Sequence, residues 1–281
     1  MIFLKTLDGI AAGLRRMGLS SLTRLGRRIF KRCLGRLPLS VTVRGFRIYG
    51  ELEHRGFLRI LEEDRCEPHS VALFEAALKP GMTVVDVGAY VGYYTLVASR
   101  AVGSQGRVYA FEPAPLNLPA LIRNLDVNFC AQNCAVIQKA ASDEARKVPM
   151  FVFPGDPSQN SLARLVPDAT ESPINVECVT IDSVLAGRPA HAVKIDIEGF
   201  EPRAIKGMER TIRNSPGMTL IVEFCPAALR AAGTPPDAFL AQLRSCGFDI
   251  QVIDEDERLL SSPGPDLFGV QKKNLYCRLR P

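Results

Sequence analysis

Short runs of consecutive apolar residues punctuate this chain: Val84, Val85 and Val87, then Val108, Ala110 and Phe111, then residues 134–139, 192–195 and 218–224. Runs of this length without strict alternation read as strands buried on both faces. Helical spacing follows them. Val91, Thr95, Leu96 and Ala98 share a face behind Gly92, and a second helix starts at Pro113 and Pro115 and runs to about Asn128. Buried strands alternating with helices predict an α/β fold with a mostly parallel sheet and helices on both faces. Residues 248–253 and 274–279 alternate and read as a closing β-hairpin with a long connection, which finishes a Rossmann-like, seven-stranded mixed sheet with an antiparallel edge.

Three segments are expected along the chain. Residues 1–38 form a lead in which 20–37 reads as a basic amphipathic helix: Leu22, Leu25, Ile29, Cys33 and Leu37 fall on one arc, and Arg24, Arg27, Arg28 and Lys31 lie opposite. Such a helix either packs on the main body or makes a peripheral contact with an anionic membrane surface. Residues 39–80 read as a hairpin (41–52) and a helix (68–78) that end at Lys79-Pro80-Gly81, and 81–281 is the main domain. Residues 146–180 depart from the alternation. Strands at 148–153 and 175–180 flank a long polar stretch, read as an insertion that shapes an acceptor pocket.

Charge changes the picture in one respect. The first 38 residues hold nine Lys/Arg against one acid, Asp8, and the remainder holds 26 basic and 29 acidic residues. The main body is therefore slightly acidic, which disfavours nucleic acid as a partner. Eight scattered cysteines without a Cys-x-x-Cys pair, and three histidines, point to reduced thiols rather than a zinc site, hence a cytoplasmic protein. No apolar run approaches a membrane span, and Lys5 and Asp8 interrupt the first one.

The candidate chemistry gathers at strand ends. The first buried strand enters the turn Asp86-Val87-Gly88-Ala89-Tyr90-Val91-Gly92, and the second ends in Glu112. A glycine turn after one strand and an acid at the tip of the next make a nucleoside-binding corner, with Glu112 on the ribose hydroxyls. The Gly-x-x-x-Gly spacing lacks the dinucleotide pattern, and the carboxylate of Asp86 repels a pyrophosphate but suits an ammonium. A ligand with ammonium and ribose but no phosphate is S-adenosylmethionine, lined by Asp86, Gly88, Ala89, Tyr90, Gly92 and Glu112. Ser142 or Asp143, after the third strand, is expected at the adenine. Lys194, Asp196 and Glu198 alternate along the next strand and share a side. Asp196 or Glu198 acts there as a general base, or the two carboxylates hold a divalent cation.

These phrases resemble the FkbM-type S-adenosylmethionine-dependent methyltransferases. The resemblance rests on residues 85–95, on 106–113, on Val179-Thr-Ile-Asp-Ser-Val-Leu185, and on Val193-Lys-Ile-Asp-Ile-Glu-Gly-Phe-Glu201 with Ile205-Lys-Gly207 behind it. It implies a class I methyltransferase fold and O-methylation of a hydroxyl on a sugar, glycolipid or polyketide-like small molecule. It also implies that Asp86, Gly88 and Gly92 line the methionine end, that Glu112 takes the ribose, and that Asp196 and Glu198 face the acceptor. Asn160 and Ser161 match a small polar phrase of the family and are assigned to the substrate. The family commonly has Asn where this chain has Tyr90, which removes an amide and adds bulk at the turn. A membrane-docked scaffold with a degenerate cofactor site and an NAD-linked oxidoreductase stay open as alternatives.

Overall fold

The computed structural model describes residues 39–152, 160–162 and 173–280. The expected helix at 20–37 and most of the polar stretch 154–173 lie outside the described residues. In chain order the strands are β1 (Leu39–Val43), β2 (Phe46–Gly50), β3 (Thr83–Val87), β4 (Arg107–Phe111), β5 (Cys134–Ile137), β6 (Ala140–Ala141), β7 (Lys147–Met150), β8 (Ile174–Val179), β9 (Ala192–Ile195), β10 (Thr219–Phe224), β11 (Phe248–Asp254), β12 (Leu259–Ser261) and β13 (Lys273–Leu279). The helices are α1 (Arg55–Glu62), α2 (Pro68–Ala76), α3 (Tyr93–Val102), α4 (Leu118–Val127), α5 (Ile181–Leu185), α6 (Glu201–Lys206), α7 (Glu209–Arg213), α8 (Pro226–Ala231) and α9 (Pro236–Ser245).

The central sheet has the order β12-β11-β13-β10-β9-β3-β4-β5. Strands β10, β9, β3, β4 and β5 are parallel, and β13 inserts antiparallel between β10 and β11. This is the class I methyltransferase topology, and the expected antiparallel edge is present. The sheet has eight strands rather than seven, because Leu259–Ser261 turns back onto β11. Asp254 makes that turn by accepting from the amides of Asp256 and Glu257, so part of the long connection becomes a hairpin. Chain order reverses at β3, whose neighbours are β4 and β9. The crevice at the carboxyl ends of those strands is where ligands sit in open α/β sheets.

Every residue of β9 and β10 is buried, including Lys194 and Glu223 within their largely apolar runs. Successive side chains of β3 point to opposite faces. Val84 joins a cluster with Leu96, Leu121, Ile48, Leu58 and Phe74, whereas Val85 joins Val193, Ile205, Leu229 and Phe239. The elements between residues 39 and 80 thus share a core with α3, α4 and the sheet. The expected strands on either side of the polar stretch form a side sheet, β6-β8-β7, packed around Met150, Val176 and Cys178.

The β1–β2 hairpin is joined to the body by side-chain amides. Asn124 on α4 accepts from the Tyr49 amide at 2.7 Å and donates to the Tyr49 carbonyl at 2.9 Å and to the Val91 carbonyl at 2.8 Å. One turn on, Asn128 repeats the pattern on Arg47, at 3.0 and 2.9 Å. Two strand residues rise about 6.6 Å and four helix residues about 6 Å, so asparagines at i and i+4 match alternate residues of β2. Because Asn124 is fully buried, Asn124→Ala leaves backbone groups of Tyr49 and Val91 without partners. It is expected to cost about 1–3 kcal/mol, read as a lower urea midpoint with unchanged slope. Asn128→Ala, at the exposed end, is expected to cost less in the same titration.

Candidate active site

After β3 the chain turns because the amides of Gly88 and Ala89 both donate to the Phe111 carbonyl, each at 3.0 Å. Gly88 has φ +87°, and a Cβ there would lie 2.0 Å from the Asp196 carbonyl oxygen. Only glycine lets the β3 and β9 loops approach this closely. Tyr90 also has positive φ, +54°. Its amide donates to Glu112 Oε2 at 2.8 Å, and its ring meets those of His54 and Phe57 edge-on, with centroids 5.3 and 5.0 Å away. The bulk expected to crowd the turn is therefore taken up by α1 and the segment before it. Gly92 follows with φ +95° and opens α3.

Glu112 is buried and oriented by a chain of donors. Besides Tyr90 it accepts from the Ala114 amide at 2.8 Å and from Asn117 Nδ2 at 3.2 Å. Asn117 Oδ1 meets His54 Nε2 at 3.2 Å, and His54 Nδ1 accepts from the Glu51 amide at 2.9 Å. That acceptor role leaves the proton on Nε2, so His54 donates to Asn117 and Asn117 donates to Glu112. Burial lowers the His54 pKa, which keeps the ring neutral. Burial also pushes the Glu112 carboxyl up to about 7, against its three hydrogen bonds. It raises Asp86 to about 6 although Thr95 donates to that carboxylate. His54 and Asn117 carry no motif in the sequence. A buried histidine 63 residues from its partner gives no local signal.

The loop after β9 brings the other acids together. The strand ends at Ile195, so the alternation of Lys194, Asp196 and Glu198 does not continue as strand, yet all three face one cleft. Glu201 Oε1 clamps the loop by accepting from the Ile197 and Gly199 amides at 3.0 and 3.2 Å. Glu198 has φ +53°, a costly conformation for a side chain with a Cβ and one that concentrates at functional sites. Lys194 Nζ lies 3.2 Å from Asp196 and 3.9 Å from Glu67. Lys272, just ahead of β13, pairs with Glu223 and lies 3.7 Å from Glu198. Burial opposes the charge of Asp196, but Lys194 and Lys272 overcome it and hold the carboxyl well below its usual range. Burial likewise opposes the charge of Lys194, which Asp196 and Glu67 hold protonated. Neither Lys272, Glu223 nor Glu67 was legible as part of this group.

Two clefts meet at Gly88, Tyr90 and Asp196. The narrow one is lined by Glu112, Asn117, Ala140, Ala141, Met150 and Asn160, among others. The wider one, about 320 Å³, is lined by Phe57, Tyr93, Tyr94, Asp86, Asp196 and Glu198. Asn160 thus sits on the nucleoside side, whereas Ser161 Oγ donates to the Glu198 carbonyl at 2.8 Å and steadies that loop. Ser142 and Asp143 line neither cleft. Ser142 Oγ donates to Asp143, which pairs with Arg203 and Lys206 at 3.4 and 3.5 Å. Gly207 packs so tightly on this strand end that a Cβ would meet the Ser142 carbonyl oxygen at 1.9 Å. Ala140 and Ala141, just ahead of them, line the narrow cleft.

The residues fit S-adenosylmethionine. A carboxylate offers about four acceptor positions, and Glu112 uses three of them within the chain, leaving one for a ribose hydroxyl. Gly88 gives the backbone clearance, and Asp86 supplies negative charge in the adjoining cleft. A divalent cation fits less well. Asp196, Glu198 and Glu223 offer oxygens within 4.8 Å of one another, but the Lys272 ammonium lies among them.

Residues 86–250 match the family described as Methyltransferase FkbM domain. The chain is similar to methyltransferase sdnD of Sordaria araneosa, at 27% identity over 156 residues, 45% of this chain and 60% of that protein. It is also similar to protein-L-isoaspartate O-methyltransferase 1 of Arabidopsis thaliana, at 38% identity over 56 residues, 20% of this chain and 24% of that protein. The matches span less than two thirds of either relative's length. Among solved structures, an rRNA methylase from Streptococcus thermophilus superposes with a TM-score of 0.47 at 12% identity, covering 75% of this chain and 95% of that one. Among the described residues, no helix is long and apolar enough to cross a membrane.

A carboxyl whose pKa is raised on folding keeps its proton while the unfolded chain loses one, so its contribution to stability falls as pH rises from about 4.5 to about 7 for Glu112. Glu112→Gln mimics the protonated form at every pH. The melting temperature of the ligand-free variant relative to the parent is therefore expected to rise steadily across that window, as differential scanning fluorimetry at stepped pH would show.

Proposed function

This chain belongs to the FkbM methyltransferase family; on that premise we propose that it is an S-adenosylmethionine-dependent methyltransferase that transfers the methyl group to a hydroxyl of a sugar, glycolipid or polyketide-like small molecule. The observation that carries this reading is the wider cleft. The aromatic side chains of Phe57, Tyr93 and Tyr94 line it together with Asp196 and Glu198. Aromatic faces receive the C–H faces of a saturated ring, while carboxylates accept from its hydroxyls. The family does not favour the oxidoreductase and scaffold alternatives.

When bound, S-adenosylmethionine supplies a methyl group already activated on a sulfonium. Glu112, held by Tyr90, Ala114 and Asn117, would hold the ribose. Asp86 would offer its carboxylate to the methionine ammonium, and Gly88 would let the loop lie close. Asp196 and Glu198 accept hydrogen bonds from the acceptor hydroxyl and align its oxygen, which by itself can lower the barrier by several kcal/mol. Asp196 is a weak base, because its ionised form is so well stabilised. A weak base suffices here, since the hydroxyl becomes strongly acidic as its oxygen gains the methyl group, and the proton can then pass to an adjacent carboxylate.

A panel of glycoside and polyol acceptors, scored by mass for methyl gain, tests the reading. With an acceptor in hand, Asp196→Asn and Glu198→Gln are expected to lower kcat by about 10²–10⁴-fold while leaving the affinity for S-adenosylhomocysteine nearly unchanged. Glu112→Ala is expected to show the opposite split, losing about 1.5–3 kcal/mol of S-adenosylhomocysteine binding by calorimetry for each charged hydrogen bond removed. Full turnover in both carboxylate variants would remove them from the mechanism.

A further inference from the structure

Three carboxylates with oxygens within 4.8 Å of one another, from Asp196, Glu198 and Glu223, have the spacing of a divalent-cation site. The chain places its own cation there. Lys272 lies on the loop that enters β13, and its ammonium pairs with Glu223 and stands 3.7 Å from Glu198. Asp196 is the largest charge acting to keep it protonated. The side chain is 42% exposed while that of Glu223 is fully buried, so the exposure lies along the aliphatic stem and the charged end reaches inward. Burial, and then the charge of Asp196, push the Glu223 carboxyl well above its usual range, and Lys272 opposes that shift. The Lys272 ammonium is the cation in contact with it.

The second lysine of the cluster is committed elsewhere. Lys194 lies beside Asp196 and is held by Asn274 Oδ1 at 3.4 Å and by Glu67. It cannot replace Lys272 at Glu223 without leaving these partners. Like charges packed in a low-dielectric pocket repel strongly unless a cation lies between them or one of them takes up a proton, and burial with the Asp196 charge shifts Glu223 in that direction even with Lys272 beside it. A divalent ion would have to approach the same oxygens to about 2.0–2.6 Å, in the space the ammonium holds and against its charge.

We propose that Lys272 is a tethered substitute for a divalent cation: its ammonium holds the carboxylate trio together, methyl transfer proceeds without a metal, and loss of the ammonium turns the trio into a metal site. The catalytic consequence rests on the hydroxyl-transfer reading above; the metal exclusion does not.

The test is a Mn²⁺ titration followed by electron paramagnetic resonance, on the full chain and on Lys272→Met and Lys272→Arg. The parent and the arginine variant are expected to bind Mn²⁺ at the trio only weakly. Lys272→Met is expected to bind it at least about tenfold more tightly than the parent, the step that corresponds to one decade in Kd. It should also melt at a lower temperature than the parent and recover on adding Mn²⁺, because a ligand specific to the folded state stabilises it. Folding of Lys272→Met only in the presence of Mn²⁺ would support the proposal equally. Should that variant fail to fold at all, Lys272→Gln, which keeps a donor near Glu223 without the charge, is read by the same titration. Parent binding as tight as that of Lys272→Met, lost in Glu198→Gln, would overturn the proposal, as would a folded uncharged variant that gains no affinity. The titration reads occupancy and not turnover, so discovery of a different acceptor would defeat the hydroxyl reading and leave this one standing.

Discussion

Four neighbouring parallel strands end in acids on the same edge of the sheet: Glu223 on β10, Asp196 after β9, Asp86 on β3 and Glu112 after β4. Three of the four are buried and the fourth is partly so. Much of the surrounding structure can be understood as the supply of donors and cations that this row demands. Thr95 serves Asp86, and the Tyr90 and Ala114 amides with Asn117 serve Glu112. Lys194 serves Asp196, and Lys272 serves Glu223. The supply is uneven. Burial keeps Glu112, Asp86 and Glu223 above their usual pKa, whereas Lys194 and Lys272 hold Asp196 below it. One edge of one sheet thus holds three carboxyls shifted toward neutrality beside one that is firmly ionised.

What could be read from sequence was whatever is local. A strand, a glycine turn and an acid at the next strand tip lie within 27 residues, from Asp86 to Glu112 inclusive, and each has its own composition signal. The mostly parallel sheet with helices on both faces followed from strand-helix alternation. Partners recruited from far away gave no such signal. Lys272 comes from the loop before the last strand, Glu67 from the residue ahead of α2, and His54 from the segment before α1. In the loop after β5, the partners of Asp143 were not legible either, since Arg203 and Lys206 come from α6. The eighth strand was missed because its pairing depends on one carboxylate, Asp254, folding a loop back on itself.

Tyr90 shows how a departure from a family pattern is absorbed. Asparagine tolerates the left-handed region well, and tyrosine less so. Here the backbone amide makes the bond to Glu112 whichever side chain is present, and the ring packs against His54 and Phe57. The segment from residue 39 to 80 is thereby coupled to the nucleoside corner through packing at Tyr90 and through the donor chain from His54 to Glu112. Position 90 is a joint between the sheet and the elements that cover it.

The asparagines of α4 have an effect that reaches outside the molecule. A two-stranded hairpin on the flank of a domain ordinarily presents an open row of amides and carbonyls, and such a row can template pairing with another chain. On β2 that row is occupied at Arg47 and Tyr49 by side chains that imitate a neighbouring strand. A helix cannot extend a β-ladder, so the imitation ends the sheet on the β2 side and leaves that edge little to which a second molecule could add a strand.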